Sequence, residues 1–139
     1  MERKVSPLRR SDPESMARAR AALQAKSRER EQREAAIPSI RLEGEAALRR
    51  LLPIAQRDTG QSSVVARFLL NLYNGDRFPF DLTDMRRLDF EVFDDCMAVL
   101  MMDAQPLKEV HQYFENGGAI WESLAKEWGF KDYGSSSSR

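Results

Sequence analysis

From Glu43 to Arg57 the apolar positions Ala47, Leu48, Leu51, Leu52 and Ala55 recur every three or four residues, the pattern of one buried helix face. Pro53 lies inside this run and predicts a kink or two short pieces, because proline lacks the backbone donor and clashes with the preceding turn. Gly60 reads as the end of this helix, with Ser62 or Ser63 capping the next. "SVVARFLLNLYNG" then sets Val64, Val65, Phe68, Leu69 and Leu72 on one face and stops at Asn74-Gly75, as a central core helix would. In "DRFPFDLT", Pro79 holds Phe78 out of the helical region, and the two flanking rings read as core plugs under a loop.

The helical period resumes at Thr83 and Asp84. Leu88, Val92, Phe93, Cys96, Met97, Val99 and Leu100 form a broad apolar face, with Asp84, Asp89, Glu91, Asp94, Asp95 and Asp103 at the polar positions. Pro106 reads as the start of a further helix, "PLKEVHQYF", that presents Leu107, Val110 and Phe114 and closes at Asn116-Gly117-Gly118. A last helix carries Ile120, Trp121, Leu124, Ala125 and Trp128.

Upstream, the pattern changes. In "SDPESMARARAALQAKSREREQREAA", Asp12 is placed to cap a helix with Pro13 at its first position, yet Met16 and Leu23 are the only large apolar residues. Such a segment is a solvated helix or a disordered arm supported by Glu/Arg pairs. "IPSIRL" marks a boundary near residue 40. The expected organisation is a flexible, helix-prone basic arm over 1–39, a helical domain over 40–131 and a flexible tail over 132–139. The fold class is all-α, a compact bundle of four or five short helices.

Charge sharpens this division. The 139 residues hold 22 basic and 22 acidic side chains, but residues 1–36 carry ten Lys/Arg against six Asp/Glu, and the remainder twelve against sixteen. The arm is thus net positive by four and the rest net negative by four. Cys96 is the only cysteine, so no internal disulfide is possible, and no Cys/His cluster suits structural zinc. No stretch is apolar for long enough to span a membrane, and a cytoplasmic protein with no membrane contact and no cofactor is expected.

"DTG" at 58–60 spells the triplet of aspartic proteases, which sits in a turn after an apolar strand. Here its flank is polar and helical, so the turn reading is preferred. His111 is the only histidine, and only Glu115 is expected to share its helix face, too few groups for a metal site. Cys96 lies on an apolar face with no base beside it, and Gly-x-Ser-x-Gly is absent. Gly117-Gly118 before a helix is a weak anion signal without a strand or lysine. The arm offers Arg9, Arg10, Arg18, Arg20, Lys26 and Arg28 to nucleic acid, although Glu29, Glu31 and Glu34 interleave with its later cations.

The stretches "DTGQSSVVARFLLNLYNGDRFPFDLTDMRRLD", "DDC" at 94–96, "EVHQYFENGG" and "IWESLA" resemble a small uncharacterised family of proteobacterial proteins encoded on integrative conjugative elements and plasmids, known as a domain of unknown function. The resemblance covers about residues 43–130 and brings no activity, cofactor or catalytic residue. It implies an accessory protein of mobile DNA. The polar residues of those stretches, Asp58, Gln61, Arg67, Asn71, Asp76, Arg77, His111, Glu115 and Asn116, form the candidate contact surface, each with the alternative of capping a helix or fixing a turn. Arg67 and Asn71 are placed to pair with Asp76 or Asp81. A non-enzymatic protein-binding module is the first reading, a nucleic-acid-associated factor using the arm the second, and a small enzyme centred on His111, Glu115 and Asp58 the third.

Overall fold

The computed structural model describes residues 12–134 and is all-α, with no strand among them. Helix α1 runs Pro13–Ala55, α2 Gly60–Tyr73, α3 Phe90–Asp103 and α4 Gly117–Trp128, with 3-10 turns at Leu82–Arg87 and Val110–Tyr113. Backbone contacts cluster into two units that divide between Ile37 and Pro38. In the first, the helical residues from Pro13 are almost all exposed, as their thin apolar pattern dictates. Arg9 and Arg10 lie outside the described residues.

The second unit holds the core. Leu48 and Leu51 from α1, Val65, Leu69 and Leu70 from α2, Cys96, Val99 and Met102 from α3, and Trp121 and Leu124 from α4 are almost wholly buried and join in one cluster. Trp121 is fully buried and its indole Nε1 donates to the Leu69 carbonyl at 3.0 Å, so the polar handle of the largest core side chain is satisfied. Phe78 is buried and Phe80 packs edge-on against Phe68 at 5.9 Å, the expected plugs under the loop.

Helix α1 meets α3 through Gly44. A Cβ there would run into Met102 Cβ and lie 2.8 Å from Met102 Sδ and 3.0 Å from the Ala98 carbonyl. Only glycine lets the two backbones come this close.

Several local expectations are corrected. Helix α1 passes through Pro53 without the expected kink or break, as it also passes through Pro38. Both prolines are exposed, so the carbonyls of Glu34 and Arg49 that lose a donor face water. The first helix ends at Ala55 rather than Gly60, and α2 is capped by Thr59: its Oγ1 accepts from Ser62 N at 3.3 Å and pairs with Ser62 Oγ at 2.6 Å. Thr83 and Asp84 lie in a 3-10 turn capped by Asp81, and α3 begins only at Phe90.

"PLKEVHQYF" forms no α-helix. Only Val110–Tyr113 turns, closed by a reciprocal capping box between Glu109 and Gln112. The chain is then pressed onto the start of α4, where a Cβ at Gly117 would overlap the His111 carbonyl. Asn116 supplies the left-handed residue, φ 59°, that enters α4.

Candidate functional site

The apolar face foreseen for α3 divides in two. Val92, Cys96, Val99 and Met102 point into the core. Phe90, Met97, Leu100 and Met101 fall on the other side, at spacings of three, four and seven that keep them on one outward face. Phe90 is 89% exposed, Met101 55% and Leu100 42%, while Met97 and Phe93 are half-buried along their border. Exposed carboxylates of Glu91 and Asp94 frame the patch. Asp95, on the inner edge, is taken by a two-pronged contact with Arg50 at 2.8 and 3.0 Å. A helix apolar on both sides leaves one side uncovered among the described residues.

Gln61 explains how α3 is set. Its amide Nε2 donates to the Asp89 carboxylate at 3.1 Å and its Oε1 accepts from Asp89 N at 3.0 Å. A residue in the first turn of α2 thus supplies the cap that Asp89, the N-cap of α3, does not make with its own side chain. Of the candidate surface, Gln61 is therefore committed to the fold.

Arg77 is committed too, at the centre of a second cluster. Its guanidinium donates to both oxygens of Glu122, at 2.7 and 2.9 Å, and to Asp132 at 2.7 and 3.1 Å. Tyr73 Oη donates to the same Glu122 carboxylate at 2.5 Å. The Arg77 and Tyr73 hydrogen bonds hold Glu122 down at about 2, below the usual carboxylate range, and the same two carboxylates push Arg77 further up. The Arg77 carbonyl also accepts from Tyr133 N at 3.1 Å. This knot ties the loop after α2 to α4 and to the strap 130–134 that follows it.

Asn71 donates to the Phe78 carbonyl at 2.9 Å, and Arg67 lies 3.9 Å over the Phe130 ring. Neither pairs with Asp76 or Asp81, as the spacing had suggested: Asn71 is taken by a backbone carbonyl, and the Asp81 carboxylate accepts from Thr83. Asp76 is exposed, and Asn74 Oδ1 accepts from its backbone N–H.

Asp58 is exposed in the turn before α2, beside a shallow groove of about 410 Å³ lined by Gln56, Arg57, Glu127 and Trp128. The triplet it begins is the helix start capped by Thr59. His111 stands edge-on to Tyr73 at 5.0 Å, and its Nδ1 is buried with no hydrogen-bond partner among the described residues. Glu115 is exposed in the following turn and does not share a helix face with His111, since the 3-10 turn that holds His111 ends at Tyr113. His111, Glu115 and Asp58 are not brought to one cleft among those the structure shows. Burial, with Asp95 adjacent, pushes the Cys96 thiol up to about 12. No group of three or more His, Cys, Asp or Glu suited to a metal ion occurs among the described residues.

The outer face of α3 is an exposed apolar feature that the sequence pattern did not separate from the core. The signal was present: α3 carries more apolar residues than one face can hold.

Architecture and surface together define a small all-α domain with an apolar, acid-framed outer helix. The chain belongs to the family of unknown function DUF7673, whose model matches residues 45–129, more than half of its 139 residues. No curated protein and no solved structure matches it. The matched segment opens within α1 just after Gly44 and closes at Gly129, the C-cap of α4.

Proposed function

We propose that the domain is a non-enzymatic protein-binding module whose contact surface is the outward face of α3, serving as an accessory protein of a mobile genetic element in a bacterial cytoplasm. The observation that carries the docking reading is the pairing of an 89%-exposed Phe90 with Met97, Leu100 and Met101 on a helix already packed by its other side. Large exposed apolar side chains grouped within an acidic frame are the composition of a docking surface rather than of a solvated one. The partner that fits is a basic amphipathic helix, with apolar side chains to cover the stripe and Lys or Arg to meet Glu91 and Asp94. The genetic context rests on the resemblance carried by the stretches from Asp58 to Asp89 and from Glu109 to Ala125.

One observation favours a second reading. Arg18, Arg20, Lys26 and Arg28 are all exposed on the helical arm, the kind of cation set that releases counterions from a nucleic-acid backbone. Glu29 and Glu31 beside them limit its reach.

The test captures partners from native extract, with and without nuclease, using the full chain, a Phe90→Ser/Met101→Ser variant, and a variant with the four arm cations changed to Gln. Burying a large apolar side chain is worth about 1.5–3 kcal/mol, so the double serine variant should lose a specific protein that the arm variant retains. Capture that depends on the arm cations and vanishes with nuclease, but ignores Phe90 and Met101, would transfer the function to nucleic acid.

A further inference from the structure

A cleft of about 320 Å³ lies between the loop after α2 and the strap, lined by Arg67, Phe78, Pro79, Phe130, Lys131 and Tyr133. We propose that it binds a small oxyanion carried on a flat apolar body, an aromatic carboxylate or an aryl phosphate monoester. The inference is independent of the docking face on α3.

Its chemistry stands out within its own unit. Residues 37–139 are net negative by four, yet among the described residues no carboxylate lines this cleft. Arg67 and Lys131 form no ion pair among the described residues and are held instead over aromatic rings: Arg67 at 3.9 Å from the Phe130 centroid, Lys131 Nζ at 4.6 Å from that of Tyr133. Arg77 nearby shows the opposite condition, neutralised by Glu122 and Asp132. A guanidinium resting on a ring keeps its in-plane N–H groups for a bidentate acceptor, the geometry that carboxylate and phosphate oxygens match.

The walls are built before any ligand arrives. Phe130 stacks on Trp128 at 5.6 Å with 11° between the rings, and Trp128 Nε1 donates to the Ala55 carbonyl at 2.9 Å. The strap is fixed by the Arg77–Asp132 pair, and the Phe78 backbone by Asn71. A preformed pocket spares the ordering cost of binding, and its volume is at the small end of ligand sites, roughly 300–1,000 Å³.

Charge also sets orientation and size. On its other side Arg67 borders a groove that contains Asp81 and Asp84, so the anion belongs toward Lys131 and the apolar body against Pro79 and Phe130. Long polyanions are disfavoured by the acidic surroundings.

The test is titration of the full-length protein at low salt, followed by amide NMR shifts, with phenyl phosphate, benzoate, inorganic phosphate and benzyl alcohol. Phenyl phosphate, benzoate or both should saturate shifts around Arg67 and Lys131, at least about tenfold tighter than inorganic phosphate or the neutral alcohol, since both charge and ring contribute. The better of the two names the anion. Arg67→Gln and Lys131→Gln should each weaken binding about fivefold or more, while Arg86→Gln, outside the cleft, should not. Unchanged melting of the variants separates a lost contact from a lost fold. No saturable shift, equal binding of inorganic phosphate, or indifference to Arg67→Gln would overturn the proposal.

Discussion

Replacing Gly44 by alanine adds one methyl group where α1 packs on α3. On an open helix surface this change stabilises by about 1 kcal/mol, through better helix propensity. Here the new Cβ would overlap Met102 Cβ and stand 3.0 Å from the Ala98 carbonyl. A Cβ position is fixed by its backbone, and the carbonyl is backbone itself, so no side-chain rotation relieves the overlap. The helices must part, and overpacking of this kind costs about 1–3 kcal/mol. Because the overlap is with fixed atoms, the upper end applies, and the net loss should be about 2 kcal/mol after the propensity gain. For a domain near one hundred residues that is a fall in melting temperature of roughly 8–16 °C. Urea and thermal unfolding followed by tryptophan fluorescence will report it, since Trp121 is fully buried. Gly60→Ala is the control, because a Cβ there meets nothing within 4 Å, and it should change stability by no more than about 0.5 kcal/mol. Met102→Gly removes the obstructing Cβ, so Gly44→Ala should cost less in that background. A Gly44→Ala protein as stable as the parent would refute the close approach of α1 and α3.

Glu122 falls from 4.5 to about 2 in the folded chain, so its contribution is fully present above pH 4.5 and is lost as pH falls toward 2. Discounted for its half-exposed carboxylate, this is worth on the order of 1 kcal/mol. The stability gap between the parent and Glu122→Gln should therefore close across that window, and a gap independent of pH would contradict the Arg77 knot. Cys96, fully buried with its thiol raised to about 12, should resist iodoacetamide at pH 8 until the chain is unfolded in urea, and rapid native labelling would place it elsewhere. Pro53→Ala should stabilise by about 1–2 kcal/mol by restoring the bond to the Arg49 carbonyl; a loss of stability in denaturant melts would count against an unbroken α1.

Period and punctuation were enough to locate α2 and α4 and most of their buried faces, because Val65, Leu69, Trp121 and Leu124 repeat at helical spacing and Asn74-Gly75 stops α2. They failed where a tertiary contact decided. Pro53 reads as a break, but it falls on the wet side of α1, which no one-dimensional pattern reveals. "PLKEVHQYF" has helical spacing, yet the chain is drawn into a 3-10 turn by the Glu109–Gln112 box and the pressure of Gly117 on His111. The candidate surface divided on similar grounds. Gln61, Asn71 and Arg77 are spent on capping α3, on the Phe78 carbonyl and on Glu122 with Asp132, whereas Arg67 and Asp58 remain at the surface. On α3 the sequence shows an excess of apolar residues but not which of them face out, since that depends on where Gly44 brings α1.

The most direct test of the docking face places a photo-crosslinking residue at position 101 of the full-length protein in its native cells, with a second protein carrying it at Lys126, exposed on α4. The account predicts a discrete, nuclease-resistant protein adduct from position 101 and none from position 126. No adduct from position 101, or adducts that disappear with nuclease, would contradict α3 as the surface through which this protein works.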